Sequence, residues 1–421
     1  MTKPSATASR RAVFTGMGLV NAAGEDTESV WQTIQAGKSA IGPARRFDAT
    51  GLDVCLVAEI PDFHPAKQIS RRIIAKSDRF AHFALTATSQ ALDDAGLDLD
   101  GLDPFRIGIS FGNNSGGWDI CERGFLEYYR EGPSMVNPWQ ATAWFPTAPQ
   151  GFVSIQFNVR GWSKSFACDR ASGACAAYFA LRALRWGHND LMLVGGSEAP
   201  VTRLGVSAHV STGELSPSSD PDLAYLPYSK SATGLVLGEG SAVLVLEDRD
   251  LAIARGARVY GELLAVEQRT GPPDDPRDLE DTLRAALAQA GRHPAQVGLV
   301  FGEGCGSVSG DQLEADVLNR VLPGVPVTVP KAAIGHLYGA STGTDIALAL
   351  LAVRDRVIPA TAHAESDPAE RSVPLVAVTE SRDLDTVVIV SRSREGANVV
   401  VVIGRDEAAE SEARQHRCKT T

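Results

Sequence analysis

Short apolar, β-rich runs alternate with amphipathic helical runs along nearly the whole chain, and this alternation limits the possible folds more than any other feature. The strand-like runs lie at 12–20, 106–112, 191–199, 240–248, 297–304, 386–393 and 397–404. Between them, 77–96, 176–187, 278–291 and 342–355 place apolar residues at helical spacing. Strands this apolar are buried on both faces, so the pattern predicts α/β layering with helices covering both sides of a sheet. At 421 residues the chain is long enough for more than one structural half. A division is expected near residue 250, giving an N-terminal half over 1–250 and a C-terminal half over 251–405. The run RTGPPDDPRD (269–278) reads as a polar, Pro-rich surface loop, and the tail over 406–421 has little to bury and is expected to be mobile.

The net charge of −11 argues against binding nucleic acid or an anionic membrane. No run approaches the roughly 20 apolar residues that cross a bilayer. The opening MTKPSATASRR lacks the apolar centre of an export signal. The six cysteines show no paired CxxC metal spacing, so no metal site is expected, and they read as reduced thiols of a cytoplasmic protein.

One stretch, SFACDRASGACAAYFA (165–180), reads as a strand, a tight turn and an Ala-rich helix that ends on Gly187. Such a corner suits a nucleophile, because a helix N-terminus lowers a thiol pKa and stabilises an oxyanion. Cys168 and Cys175 flank the corner, yet each reads more readily as a small structural residue. Arg170 stands on the corner itself; its guanidinium is no nucleophile, and local composition alone places it on a surface turn.

The run from Ser165 through SEA at 197–199 resembles the nucleophile region of β-ketoacyl-ACP synthases. So do PYSKSATGLVLGEGSAVLVLED within 227–263 and VPKAAIGHLYGAS (329–341), and the resemblance runs from about 12 to 404. It implies a thiolase-like α/β fold of two similar halves in five α-β-α-β-α layers. Counting back from Gly195-Gly196, it places the family's catalytic cysteine on Arg170. One of two catalytic histidines falls on Glu303, while Lys331 and His336 keep the family's residues. Two gate aromatics fall on Arg392 and Arg394, and Asn398 is retained. Within the family, REGPSMVNPWQATAWFPTAPQGFVSI (130–155) and 205–229 are most similar to the chain length factor, the non-condensing partner of type II polyketide ketosynthases. Chain length factors usually carry glutamine at the corner, and arginine departs from both patterns. The site is thus degenerate over Arg170, Glu303, Lys331 and His336, with no confirmed catalytic residue. Arg170 and Glu303 have opposite charge and are expected to pair, since a lone buried charge costs several kcal/mol.

Trp118, Cys121 and Phe125 lie at i, i+3 and i+7 on one helix face, which by itself is an ordinary core stripe. The resemblance makes these positions, with Leu204 and Gly205, the lining of a polyketide tunnel. Trp139, Trp144 and Phe145, in a run too apolar for a free loop, are expected either at an interface or in the core. The N-terminal half thus includes a tunnel and interface insertion.

The resemblance implies a heterodimer with a ketosynthase alpha subunit. The chain would carry no cofactor of its own, and the phosphopantetheine of an acyl carrier protein would reach the partner subunit. The chain would complete the partner's site and set chain length in antibiotic-type polyketide biosynthesis. The alternative is a β-ketoacyl-ACP synthase-like enzyme with residual malonyl-ACP decarboxylase or acyltransferase activity, with Cys168 as a displaced nucleophile. A third option is an inactive homodimer that only binds acyl carrier protein.

Overall fold

The apolar runs hydrogen-bond into one continuous sheet of ten strands in the computed structural model, which describes residues 10–364 and 371–406. In chain order the strands are β1 (Ala12–Asn21), β2 (Ile107–Gly112), β3 (Lys164–Phe166), β4 (Leu191–Glu198), β5 (Gly240–Asp248), β6 (Gly261–Thr270), β7 (Val297–Phe301), β8 (Val327–Thr328), β9 (Thr386–Arg392) and β10 (Ala397–Gly404). Their order across the sheet is 3-2-4-5-1-6-10-9-7-8. Each half therefore follows one pattern: third, second, fourth, fifth and first strand of its own set. Pairing directions repeat as well. β2 runs parallel to β3 and β4, as β7 does to β8 and β9, while the remaining pairs within each half are antiparallel. The halves join through two residue pairs, Val13 with Glu262 and Phe14 with Gly261.

Helices complete five layers. α1 (Arg79–Ala95) packs on β1, β4 and β5 from outside the first half. α5 (Pro276–Gln289) and α6 (Val308–Val321) cover the outside of the second. Between the halves lie α3 (Ser172–Arg185) and α7 (Ser341–Asp355), each touching strands of both. α7 is buried from Ser341 to Val353, as a helix with apolar residues all round must be. Gly196 on β4 shows how closely this layer sits. A Cβ there would lie 2.1 Å from the Gly112 carbonyl oxygen and 2.3 Å from that of Gly339, so only glycine fits.

Three strands were not anticipated. β3 and β8 are two or three residues long, and β6 ends in polar residues, EQRT, that face outward. The surface loop expected at 269–278 is shorter, because β6 runs to Thr270 and α5 begins at Pro276. The start of the tail is anchored rather than loose: Asp406 is buried and pairs with Arg249 Nε at 2.5 Å. The rest of the expected mobile tail, 407–421, lies outside the described residues. No helix among the described residues is long and apolar enough to cross a membrane.

Candidate functional site

The strand-turn-helix corner forms as its sequence requires. Asp169 adopts φ 52°, a left-handed conformation that Asp tolerates better than most residues, and α3 begins three residues later. Gly187 ends the segment at φ 71°. Arg170, however, is buried, only 6% exposed, and is not the surface turn residue its local composition implied. The turn faces inward because the β9–β10 hairpin covers it. Ser391 donates its hydroxyl to the Arg170 carbonyl at 3.4 Å, and the Arg394 N–H donates to Asp169 at 2.8 Å.

Three carboxylates surround the guanidinium. Glu214 Oε1 lies 3.3 Å from Arg170 Nη1, while Asp169 Oδ2 and Glu303 Oε1 lie 3.6 and 3.7 Å from Nε. Burial disfavours the cation, but Glu303, Glu214 and Asp169 outweigh it and raise the guanidinium pKa further. Glu214 was not singled out from the sequence. It sits alone in STGELS, where nothing but its isolation among neutral residues distinguishes it.

The expected Arg170–Glu303 pair is present at 3.7 Å, but the nearer partner of Glu303 is His336. His336 Nε2 donates to Glu303 Oε1 at 2.9 Å, while its Nδ1 accepts the Tyr338 N–H at 3.0 Å, which fixes the tautomer. Lys331 Nζ reaches Asp345 at 2.9 Å, the Gly302 carbonyl at 3.0 Å and Glu303 Oε2 at 3.9 Å. Burial pushes the Glu303 carboxyl up, but Lys331, His336 and Arg170 together hold it down at about 2. Burial lowers the His336 pKa, with Glu303 opposing, so the ring stays neutral. An ionised Glu303 cannot donate to a carbonyl oxygen, and the one ring N–H of His336 is already used. Arg170 therefore offers no nucleophile, and neither Glu303 nor His336 has a side-chain donor left for an acyl group.

Arg392 is also buried. It spans three segments, donating to Asn398 Oδ1 at 3.2 Å, the Gly310 carbonyl at 3.0 Å and the Pro273 carbonyl at 3.3 Å. Arg394 is 45% exposed at its side chain and pairs with Glu395 at 2.9 Å.

Two cavities flank the corner. One, of about 570 Å³, is lined by Trp118, Cys168, Asp169, His209, Tyr338 and Arg394, among others. The other, about 430 Å³, has Arg170, Cys305 and Arg392 on its walls. Glu214 and Arg394 border both. A hydrogen bond to Cys175 holds the Cys168 thiol down at about 7, against burial, and pushes the Cys175 thiol up.

The residues expected to line a tunnel separate. They lie on α2 (Trp118–Glu131) and α4 (Arg203–Val210). Trp118 lines the larger cavity, whereas Cys121 is half-buried and Phe125 is 47% exposed, so this face is no core stripe; Ile120 and Gly124 face the interior instead. Leu204 and Gly205 open α4, and Ala208 and His209 of that helix reach the cavity in their place. Gly205 is buried against the Pro200 carbonyl. Trp139, Trp144 and Phe145 are 40–46% exposed and so do not belong to the core. With Tyr129, Met135 and Ile155 they leave apolar side chains open to solvent.

A repeated 3-2-4-5-1 sheet around two shared central helices, with a helix-borne corner at the seam, defines a thiolase-like ketosynthase architecture. The chain belongs to the β-ketoacyl synthase family: the models of its N-terminal and C-terminal domains match residues 9–252 and 261–365. The tetracenomycin polyketide synthase ketoacyl synthase beta subunit of Streptomyces glaucescens is 36% identical over 93% of this chain and 98% of its own. The 3-oxoacyl-acyl-carrier-protein synthase 2 of Coxiella burnetii is 29% identical over 94% and 99%. Among solved structures, the ishigamide ketosynthase/chain length factor superposes with a TM-score of 0.86 at 27% identity, covering 95% of this chain and all of that one. A type II PKS acyl-carrier protein in complex with its ketosynthase matches at a TM-score of 0.85, 22% identity and 94% and 100% coverage, a likeness of fold.

Proposed function

We propose that this chain is the non-condensing chain length factor subunit of a type II polyketide synthase. It pairs with a ketosynthase alpha subunit, contributes walls to a shared polyketide tunnel and sets the length of the product. The observation that carries this reading is the corner itself, where a buried guanidinium sits among three carboxylates, at the residue to which the resemblance assigns the family's nucleophile. Covalent acyl loading needs a thiolate there. The names of the S. glaucescens relative and the ishigamide neighbour support the same reading.

On this reading the halves meet near residue 250, as the repeated strand order suggests. Trp118, Cys121, Phe125, Leu204 and Gly205 serve the tunnel. Trp139, Trp144 and Phe145 serve the partner interface, where large aromatic side chains are favoured anchors. An acyl carrier protein delivers its phosphopantetheine to the partner, and the complex works in the cytoplasm.

A second reading has one observation in its favour: Cys168 lines the larger cavity with a pKa of about 7, as an acyl acceptor would need. Against it, the only ring N–H of His336 is spent on Glu303. Co-expression with a cysteine-bearing ketosynthase, sizing, and intact-mass analysis during turnover separate the two. The expected result is a one-to-one heterodimer with acyl groups on the partner alone. Recovery of homodimer only, or an acyl group on this chain, would overturn the assignment.

A further inference from the structure

α2 and α4 lie far apart in sequence, yet both wall the larger cavity, α2 through Trp118 and α4 through Ala208 and His209. The Trp118 and His209 rings meet edge to face at 5.9 Å. The gap between these walls is held by charged side chains that do not line the cavity. Glu122 Oε2, on α2, accepts the Leu204 N–H at 2.8 Å. Leu204 lies in the first turn of α4, where backbone N–H groups have no partner within the helix and the dipole favours an anion. Thr202 caps the same turn by accepting the Gly205 N–H at 3.0 Å.

A second clamp spans the same gap. Arg46 Nη2 grips both oxygens of Asp119 on α2 at 2.9 and 3.0 Å, while its Nη1 donates to the Val201 carbonyl just before α4 at 3.0 Å. Arg46 is braced in turn by Glu239 at 3.3 Å, and Glu239 is held by Arg79 at 2.8 and 2.9 Å. Asp78 ties α2 to the body by accepting the Ile120 N–H at 2.7 Å.

We infer that Glu122, backed by the Arg46–Asp119 pair, is a positioning residue for product length. It never touches the growing chain; it fixes the distance between the two helices that enclose it. This inference rests on the tunnel reading above and adds to it a determinant outside the lining.

The test uses the full chain paired with its ketosynthase and reads the distribution of product lengths by mass spectrometry. Glu122→Ala frees the Leu204 N–H and is expected to replace the single main length by a spread displaced by one or more two-carbon units. Glu122→Gln keeps an acceptor and is expected to restore the parental length, a rescue that a loss of general stability would not show. Phe125→Ala is the control for the tunnel itself. A shift with Phe125→Ala but an unchanged profile with Glu122→Ala would overturn the inference and leave the tunnel standing. Unchanged profiles with both would bring down the tunnel reading and the inference together. Equal shifts with Glu122→Ala and Glu122→Gln would also overturn it. Where Glu122→Ala yields no heterodimer, Asp119→Asn, at a half-exposed position, takes its place, and an unshifted profile there overturns the inference.

Discussion

His336 donates its Nε2–H to Glu303 at 2.9 Å, and Tyr338 donates its backbone N–H to the opposite ring nitrogen, so the imidazole is committed on both sides. Restoring a thiol at the corner should therefore not restore condensation. Arg170→Cys alone is expected to give no acyl adduct by intact-mass analysis after incubation with acyl carrier protein thioesters. Arg170→Cys with Glu303→His, which frees the His336 proton, is expected to give one. An adduct on the single variant would show that the Glu303–His336 bond is no barrier.

Arg170 faces the buried Glu303 and the partly buried Glu214 and Asp169, so its removal should cost more than its own contacts. Breaking one partner out of a buried ion pair typically costs about 3–5 kcal/mol. Arg170→Ala is expected to lower the urea midpoint accordingly, and Arg170→Ala with Glu303→Gln to recover part of the loss. Additive losses would mean that the two side chains do not compensate each other.

The Glu303 carboxyl is depressed from 4.5 to about 2. Its contribution is thus fully present above pH 4.5 and is lost as the pH falls towards 2. The stability gap between the parent and Glu303→Gln should be constant near neutrality and shrink below pH 4.5, as followed by denaturant titration. A gap independent of pH would contradict the ionised state.

Glu198 has the opposite sign. Burial, against hydrogen bonds from Ser115 and Asn114, raises its carboxyl to about 8. The native state then holds a proton that the unfolded state releases, so stability falls as pH rises from about 4.5 to about 8, by up to about 1.4 kcal/mol per unit. Glu198→Gln is expected to gain on the parent across that window. A constant difference would place the proton elsewhere.

Cys168 should alkylate before Cys175, since it lines a cavity with its pKa near 7 while Cys175 is buried with its pKa raised. Mass mapping after brief iodoacetamide treatment reads this directly. Fast labelling without a turnover adduct is the expected pair of results.

Trp144 is 44% exposed and stacks on Phe145 at 4.9 Å. As an interface anchor it should cost at least about 1.4 kcal/mol when truncated, a tenfold weaker heterodimer. Trp144→Ala, measured by sedimentation against the ketosynthase, is expected to show that loss with the thermal midpoint of the isolated chain unchanged. Unaltered affinity would move the interface elsewhere.

The fold was legible wherever burial on both faces left an uninterrupted apolar run, as in β5 and β10. β6 escaped because only its first half is enclosed, and the polar EQRT end carries a loop's composition. At the site, the turn chemistry around Asp169 could be read locally, but the burial of Arg170 could not. That burial is imposed by Ser391 and Arg394, more than two hundred residues away. The part played by Glu214 was hidden for the same reason, since a carboxylate acquires a partner only when the loops meet.

That distance bears on synthesis. The corner belongs to the first half, but the hairpin that seals it leaves the ribosome more than two hundred residues later. Until that hairpin has emerged, Arg170 and its neighbours remain hydrated, and the enclosed charge cluster cannot exist. A nascent polypeptide halted before Ser391 would keep an open, water-filled notch there, so completion of the site doubles as a mark that synthesis has passed that hairpin.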